Sequence, residues 1–280
     1  MSTHRLGRCA RSTCLSIALA SGVPLAATAG CSSEALPGAA PGASGAASVG
    51  GAGGGAGDVS GCSGLGFPDP VLGSIVREAL GLPPGSTMSA EQLASVRELI
   101  YIRGETSEPI RSLAGAECLT GLEVLTLDGR FVEGSAEDRI TDVSPLAGLR
   151  NLRELTIQDA AFELTPLGEL GQLRVLRLDY SVPGTMEAPG SLDALAPLVN
   201  LTLLDASDGC VEDISALAGM TQLVSLDLYS NCIVDLTALE GLTALRDVDI
   251  TDNYYDCAAV SASLQILRAN GATVADDCQL

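Results

Sequence analysis

A 22-residue period between Leu198 and Asn253 constrains this chain more than any other feature. Read in that step, it gives Leu201, Leu204 and Ala206, then Leu223, Leu226 and Leu228, then Leu245, Val248 and Ile250. Each set has the spacing L-x-x-L-x-L. A second apolar run follows at every third residue: Val211, Ile214, Leu217 and Met220, then Ile233, Leu236, Leu239 and Leu242. Alternation over L-x-L is the period of a short strand, and the three-residue spacing suits a tight return turn. Neither one long helix nor an isolated strand gives both. A repeat in the low twenties builds a solenoid, in which one coil cannot bury its ladder alone but stacked coils can.

The unit Leu223-Val-Ser-Leu-Asp-Leu-Tyr-Ser-Asn231-Cys-Ile-Val-Asp-Leu-Thr-Ala-Leu239 resembles the internalin-like class of leucine-rich repeats, L-x-x-L-x-L-x-x-N-x-I-x-D-L-x-x-L. The resemblance runs from about residue 67 to the C-terminus. It implies an α/β leucine-rich repeat solenoid of about seven coils, with a parallel β-sheet on the concave face. It implies a protein-binding surface without naming the ligand, because such repeats host many partners.

The earlier coils are Leu99 with Tyr101, an imperfect first one, then Leu122, Leu125 and Leu127, then Leu152, Leu155 and Ile157, then Leu173, Leu176 and Leu178. Two insertions, Phe131–Arg139 and Val182–Gly190, follow strands, where they can loop out without breaking the ladder. They are either binding loops on a rigid scaffold or neutral insertions. Where the family places Asn, this chain has Gly104, Arg130, Ala160, Ser181, Gly209, Asn231 and Asn253. That predicts regular stacking in the last two coils and looser turns in the middle.

Both ends read as caps. Asp69-Pro70 sets an N-cap before a helix-starting proline. Val71, Leu72, Ile75, Val76, Ala79 and Leu80 then form a helical stripe that Gly81 can end. Ser89-Ala-Glu-Gln92 is a capping-box pattern. These stretches resemble the helical caps that precede internalin-like repeats, and a cap covers the open end of the first coil. At the other end Ala258–Ala269 reads as a helix closed by Asn270-Gly271, and Thr273-Val-Ala275 can add a last strand.

The N-terminus carries Arg5, Arg8 and Arg11, an apolar segment from Cys14 to Ala27, and small residues up to Cys31. That order predicts a secretory signal, too short and too rich in Ala and Gly for a good membrane span. Thr28-Ala-Gly-Cys31 resembles a bacterial lipobox, with Thr28 where Leu is usual, and so implies a lipidated Cys31. A plain cut after Ala29 is the alternative. Ser32-Ser33 lack the Asp associated with inner-membrane retention, which by resemblance implies an outer-membrane or surface address. Residues 32–61 are Gly, Ala, Ser and Pro with almost no bulky side chain, a composition that does not fold. Thirty such residues reach roughly 30 Å as a tether. The predicted organisation is therefore 1–30 signal, 31–61 lipidated cysteine and linker, 62–105 N-terminal cap and first imperfect coil, 106–256 repeats and 257–280 C-terminal cap.

Of nine cysteines, Cys9 and Cys14 leave with the signal and Cys31 takes lipid. Cys62, Cys118, Cys210, Cys232, Cys257 and Cys278 remain, an even number in a chain bound outside the cytosol. Cys257 and Cys278 flank the last helix and would close the C-terminal cap. Cys62 with Cys118 would tie the N-terminal cap to the first coil. Cys210 and Cys232 stand one repeat apart, within disulfide range if their Cβ vectors converge; two thiols are the alternative.

Chemistry is sparse. The chain has no Lys and no Trp, and its one His, His4, lies in the signal. Without histidine there is no Ser-His or Cys-His pair, and with no Cys-x-x-Cys no zinc site. No Walker A loop occurs, and Gly50–Gly57 follows no strand. No cofactor is expected. Losing the three signal arginines takes the formal charge from −20 to about −23, which argues against nucleic acid and anionic lipid as partners.

The carboxylates are ordered. The column between the strand leucines reads Ile100, Thr126, Thr156, Arg177, Asp205, Asp227, Asp249. The next outward column reads Ile102, Asp128, Gln158, Asp179, Ser207, Tyr229, Thr251, with Asp208 and Asp252 beside it. The candidate ligand-binding residues are Asp128, Gln158, Arg177, Asp179, Asp205, Asp227, Tyr229, Asp249 and Asp252, facing a protein or peptide whose complementary charge would be basic, with Tyr229 as an aromatic anchor. A solvated face that keeps the protein soluble is the plainer reading. A calcium site fits poorly, because straight strands rarely wrap six oxygens around one ion. The sequence thus points to a non-enzymatic, monomeric, surface-anchored lipoprotein that binds protein through its concave face and inserted loops. The alternatives are a structural spacer of the envelope and a carboxylate-based glycan hydrolase, which has no positive sequence support.

Overall fold

The computed structural model describes residues 62, 66–103, 108–128, 139–158, 160, 162–182 and 189–278. The signal, Cys31, the linker, Gly104, Arg130 and most of both insertions lie outside the described residues.

Eight parallel strands form the main sheet, in the order β1-β2-β3-β4-β6-β8-β9-β10. They are β1 (Glu98–Ile102), β2 (Val124–Asp128), β3 (Glu154–Gln158), β4 (Val175–Arg177), β6 (Leu203–Asp205), β8 (Ser225–Asp227), β9 (Asp247–Asp249) and β10 (Thr273–Ala275). Seven belong to the coils read from the leucine spacing, and β10 is the added strand of the C-terminal cap. The leucines stack in register: Leu99, Leu125, Leu155, Leu176, Leu204, Leu226 and Val248 align across the sheet and all are buried. The return side of most coils is a short 3-10 turn, for example Ser144–Leu146, Ser215–Gly219 and Thr237–Leu239. The leucine of each such turn, Leu146, Leu217 or Leu239, is fully buried. At about 25 cal/mol per Å² of buried apolar surface, this continuous ladder is the main favourable term in the fold.

The sequence does not show a second, two-stranded parallel sheet on the flank, β5 (Gly190–Ser191) with β7 (Val211–Asp213). Nor does it show the device that starts most return turns. Asp142, Asp213 and Asp235 each accept the backbone N–H two residues on, at 2.8–2.9 Å. Ser191 and Ser112 do the same through their hydroxyls. These side-chain turns fix the chain entering each 3-10 segment.

The caps form largely as their residues dictate. Helix α1 (Pro70–Ala79) starts on Asp69, whose Oδ1 accepts from Val71 and Leu72 at 3.0 Å. Its Oδ2 accepts from Arg111 and Ser112 of the first coil, at 2.8 and 3.2 Å. One buried carboxylate thus caps a helix and fastens it to the repeats. Helix α2 (Ala90–Ser95) carries the reciprocal Ser89–Gln92 capping box. Helix α3 (Ser261–Ala269) begins three residues later than the sequence suggests. Asp256 accepts from Ala258 and Ala259 and holds that stretch as a turn. Gly271, at φ 92°, ends the helix in the left-handed region.

Two disulfides close the ends, Cys62–Cys118 and Cys257–Cys278, at Cα separations of 5.7 and 5.5 Å. The third expected pair, Cys210 with Cys232, is not made. Cys210 sits in the left-handed region at φ 49°, and Cys232 does not. Equivalent repeat positions therefore carry different backbone conformations, and their Cβ vectors do not follow the repeat. Cys232 N–H bonds the Val211 carbonyl at 2.8 Å, so the flank here is also out of step with the 22-residue spacing.

Candidate functional site

The sheet register places the first predicted column on its open face and pairs the second as far as Gln158. Ile100, Thr126, Thr156, Arg177, Asp205, Asp227 and Asp249 are successive neighbours across seven strands. Strand partners lie about 4.8 Å apart. Asp205, Asp227 and Asp249 therefore form an unbroken acidic file, bounded by Arg177 on one side and Ala275 on the other. Unit charges about 5 Å apart repel by about 1 kcal/mol in water and about 3 kcal/mol at an effective dielectric of 20.

Each of the three carboxylates also serves its own coil. Asp205 Oδ1 accepts from Ser207 N–H at 3.1 Å, Asp227 Oδ1 from Tyr229 N–H at 2.9 Å and Asp249 Oδ1 from Thr251 N–H at 2.9 Å. The hydroxyls of Ser207 and Thr251 reinforce two of these turns at 2.7 and 2.6 Å. The chain then passes through the left-handed region at Tyr180, Asp208, Ser230 and Asp252, all with φ of 54–55°. A non-glycine residue there is uncommon, and the same coil geometry imposes it four times.

The second column gathers around Asp179. Ser207 Oγ lies 3.2 Å from Asp179 Oδ1. Burial, with Asp205 next in weight, pushes the Asp179 carboxyl up to about 6. Burial also raises Asp208 and Asp227, with further contributions from neighbouring aspartates. Tyr180, exposed beside Asp208, is pushed up to about 12 by its partial burial and then by that carboxylate. Asp142 and Asp213 in the return turns move the other way. Ser144 lowers the first, mainly through its side chain, and Ser215 lowers the second, mainly through its backbone N–H. Asp179, Asp208 and Asp227 are thus destabilised as anions, whereas Asp142 and Asp213 are stabilised at the turns.

Of the predicted residues, Arg177, Asp179, Asp205, Asp227 and Asp249 come together, with exposed Tyr229 and Asp252 on the adjoining rim. Gln158 lies two strands away from Asp205. Asp128 is farther still and only 7% exposed, so it is a weak contributor to an open surface. Asp208 and Tyr180 belong to the group by geometry, although only Asp208 stood beside the sequence columns. The signal for Tyr180 was its repeat equivalence to Asp208. Among the described residues, no group of three or more His, Cys, Asp or Glu is placed to hold a metal ion. No described helix is long and apolar enough to cross a membrane.

The structure of internalin C2 from Listeria monocytogenes is similar, with 23% identity over 75% of this chain and 94% of that one, at a TM-score of 0.50. The fold is that of an internalin-like leucine-rich repeat protein. Two further structures overlap at lower TM-scores. An internalin of L. monocytogenes, inlF, gives 0.33 at 23% identity over 75% of this chain and 77% of that one. A leucine-rich repeat protein of Leptospira interrogans gives 0.47 at 19% identity, over 68% and 51%. No family model and no curated protein matches the sequence.

Proposed function

We propose that this internalin-like protein binds a basic protein or peptide on the open face of its sheet, and that lipid on Cys31 holds it at the bacterial envelope. The observation that carries the reading is the in-register file Asp205, Asp227 and Asp249, joined by Asp179 with its raised pKa. A file of like charges on an exposed, rigid sheet favours a cationic partner, which would relieve the repulsion and be steered by the field. The role is binding rather than catalysis, and the anchored chain acts as a monomer at the outer membrane or cell surface, held off it by the linker. The inserted segments 131–139 and 182–190 are part of the proposal as secondary contacts.

One observation favours a second reading. Each file carboxylate already bonds its own turn, so these aspartates have a structural use in a spacer without a ligand. Asp→Asn separates the two, because an amide oxygen keeps the turn bond and drops the charge. Envelope and secreted extracts passed over the full chain should yield a partner that salt weakens. The Asp205→Asn/Asp227→Asn/Asp249→Asn variant should lose it. A partner held equally by both proteins moves the site to the loops, and no partner at any salt favours the spacer.

A further inference from the structure

The open face is not uniform along the solenoid. At its N-terminal end β1 exposes Ile100 and Ile102, at 51% and 56%, the two largest exposures among the bulky apolar side chains described. Thr126 and Thr156 continue the same column as neutral, half-buried positions. Arg177 follows, and only then does the acidic file begin. Four strand steps separate Ile100 from Asp205 and five separate it from Asp227, a span of about 19–24 Å at strand spacing.

We infer that the partner is a protein segment lying along the solenoid axis, with an apolar anchor over Ile100 and Ile102 and its cationic side chains over Asp205, Asp227 and Asp249. This rests on the reading that the sheet face binds a basic protein, and adds to it a direction and a spacing. Two features fix the occupant. The carboxylates demand positive charge at one end. Exposed isoleucines reward apolar contact at the other, where their own column holds no carboxylate and their strand neighbours on that face are Glu98 and the buried Asp128. Arg177 repels a cation placed directly over β4, which disfavours sliding of the basic cluster toward β1, and Asp179 of the same coil offsets part of that repulsion. Reversing the segment would set cations on isoleucine and apolar groups on carboxylate, which costs desolvation at both ends. An extended segment rises about 3.3 Å per residue, so six or seven residues bridge the two ends.

The test uses the full chain and synthetic peptides carrying a Leu-Leu pair, a Gly/Ser spacer and three arginines, the spacer varied from two to ten residues. Affinity measured by fluorescence anisotropy should peak at the spacer that spans about 20 Å. Ile100→Thr with Ile102→Thr should weaken the best peptide about tenfold without altering its salt dependence. Both isoleucines are exposed, so circular dichroism should show this variant folded. The Asp205→Asn/Asp227→Asn/Asp249→Asn variant should weaken binding and flatten the salt dependence. Binding that depends on charge but not on spacer length or the isoleucines overturns the two-ended footprint and leaves the acidic site standing. Failure of every peptide, including the best-spaced one, overturns both.

Discussion

Asn231 makes five hydrogen bonds from a side chain with no exposed surface. Nδ2 donates to the carbonyls of Ala206, Leu228 and Tyr229, and Oδ1 accepts from Gly209 and Val211. It therefore stitches its own coil to the preceding one. Asn231→Ala leaves several buried backbone groups unpaired and should cost about 3–4 kcal/mol in denaturant unfolding. Ser181 does part of this work two coils earlier, donating to Ile157 and accepting from Ala160. Gly209 has no side chain for this work and no room for one, since a Cβ there would stand 2.8 Å from Val182 Cβ, and its N–H is served by Asn231 Oδ1. The middle turns are consequently better held than the missing asparagines suggest. Asp179 supplies the pH dependence. Its folded pKa, about 6, lies above an unfolded aspartate near ~3.9. The folded state thus holds the extra proton in between, and stability falls as pH rises through that window. Melting temperature should drop from pH 5 to pH 7 more steeply in the wild type than in Asp179→Asn. Equal slopes would show that burial of this carboxyl has no consequence. Asp142 and Asp213 act in a lower window: their contribution is present above about pH 4 and is lost as pH falls through their depressed values.

At the scale of elements, the caps decide whether the solenoid ends hold. Asp69 bonds four backbone N–H groups in two elements, so Asp69→Ala should cost about 2–3 kcal/mol and expose the α1 amides to early hydrogen exchange. Removing Cys62–Cys118, at a sequence separation of 56, should cost about 4 kcal/mol, and Cys257–Cys278, at 21, about 3 kcal/mol, on loop-closure entropy. A chevron or denaturant midpoint on each Cys→Ser pair checks the order. Most of this was legible, because leucine spacing, N-cap residues and capping boxes are local signals. The strand register followed from the leucine spacing across both insertions, and the central sheet column came with it. What stayed hidden depends on backbone geometry that spacing does not encode. The left-handed turn at Cys210 separates two equivalent cysteines, the β5–β7 pair forms on the flank, and Asp256 delays α3. For the candidate site, the columns named the acidic file but not Tyr180, whose only sequence signal was its repeat equivalence to Asp208 and whose left-handed turn sets it beside that carboxylate.

For the whole molecule, the proposed basic partner implies that the acidic file is kept at a cost to stability. The ladder, the stitching Asn and Ser side chains and the two disulfides fix the coils, and the fixed coils hold Asp205, Asp227 and Asp249 side by side. The most direct measurement compares the melting temperature of the full chain with that of Asp205→Asn/Asp227→Asn/Asp249→Asn at low and high salt. Asparagine keeps the turn bonds, so removing two adjacent repulsions of about 1 kcal/mol each should raise the melting point by about 4–8 °C at low salt. The gain should shrink as salt screens the wild type. A variant that melts lower than the wild type, or equally at every salt concentration, would contradict the account. The aspartates would then be turn-formers whose charges do not oppose folding.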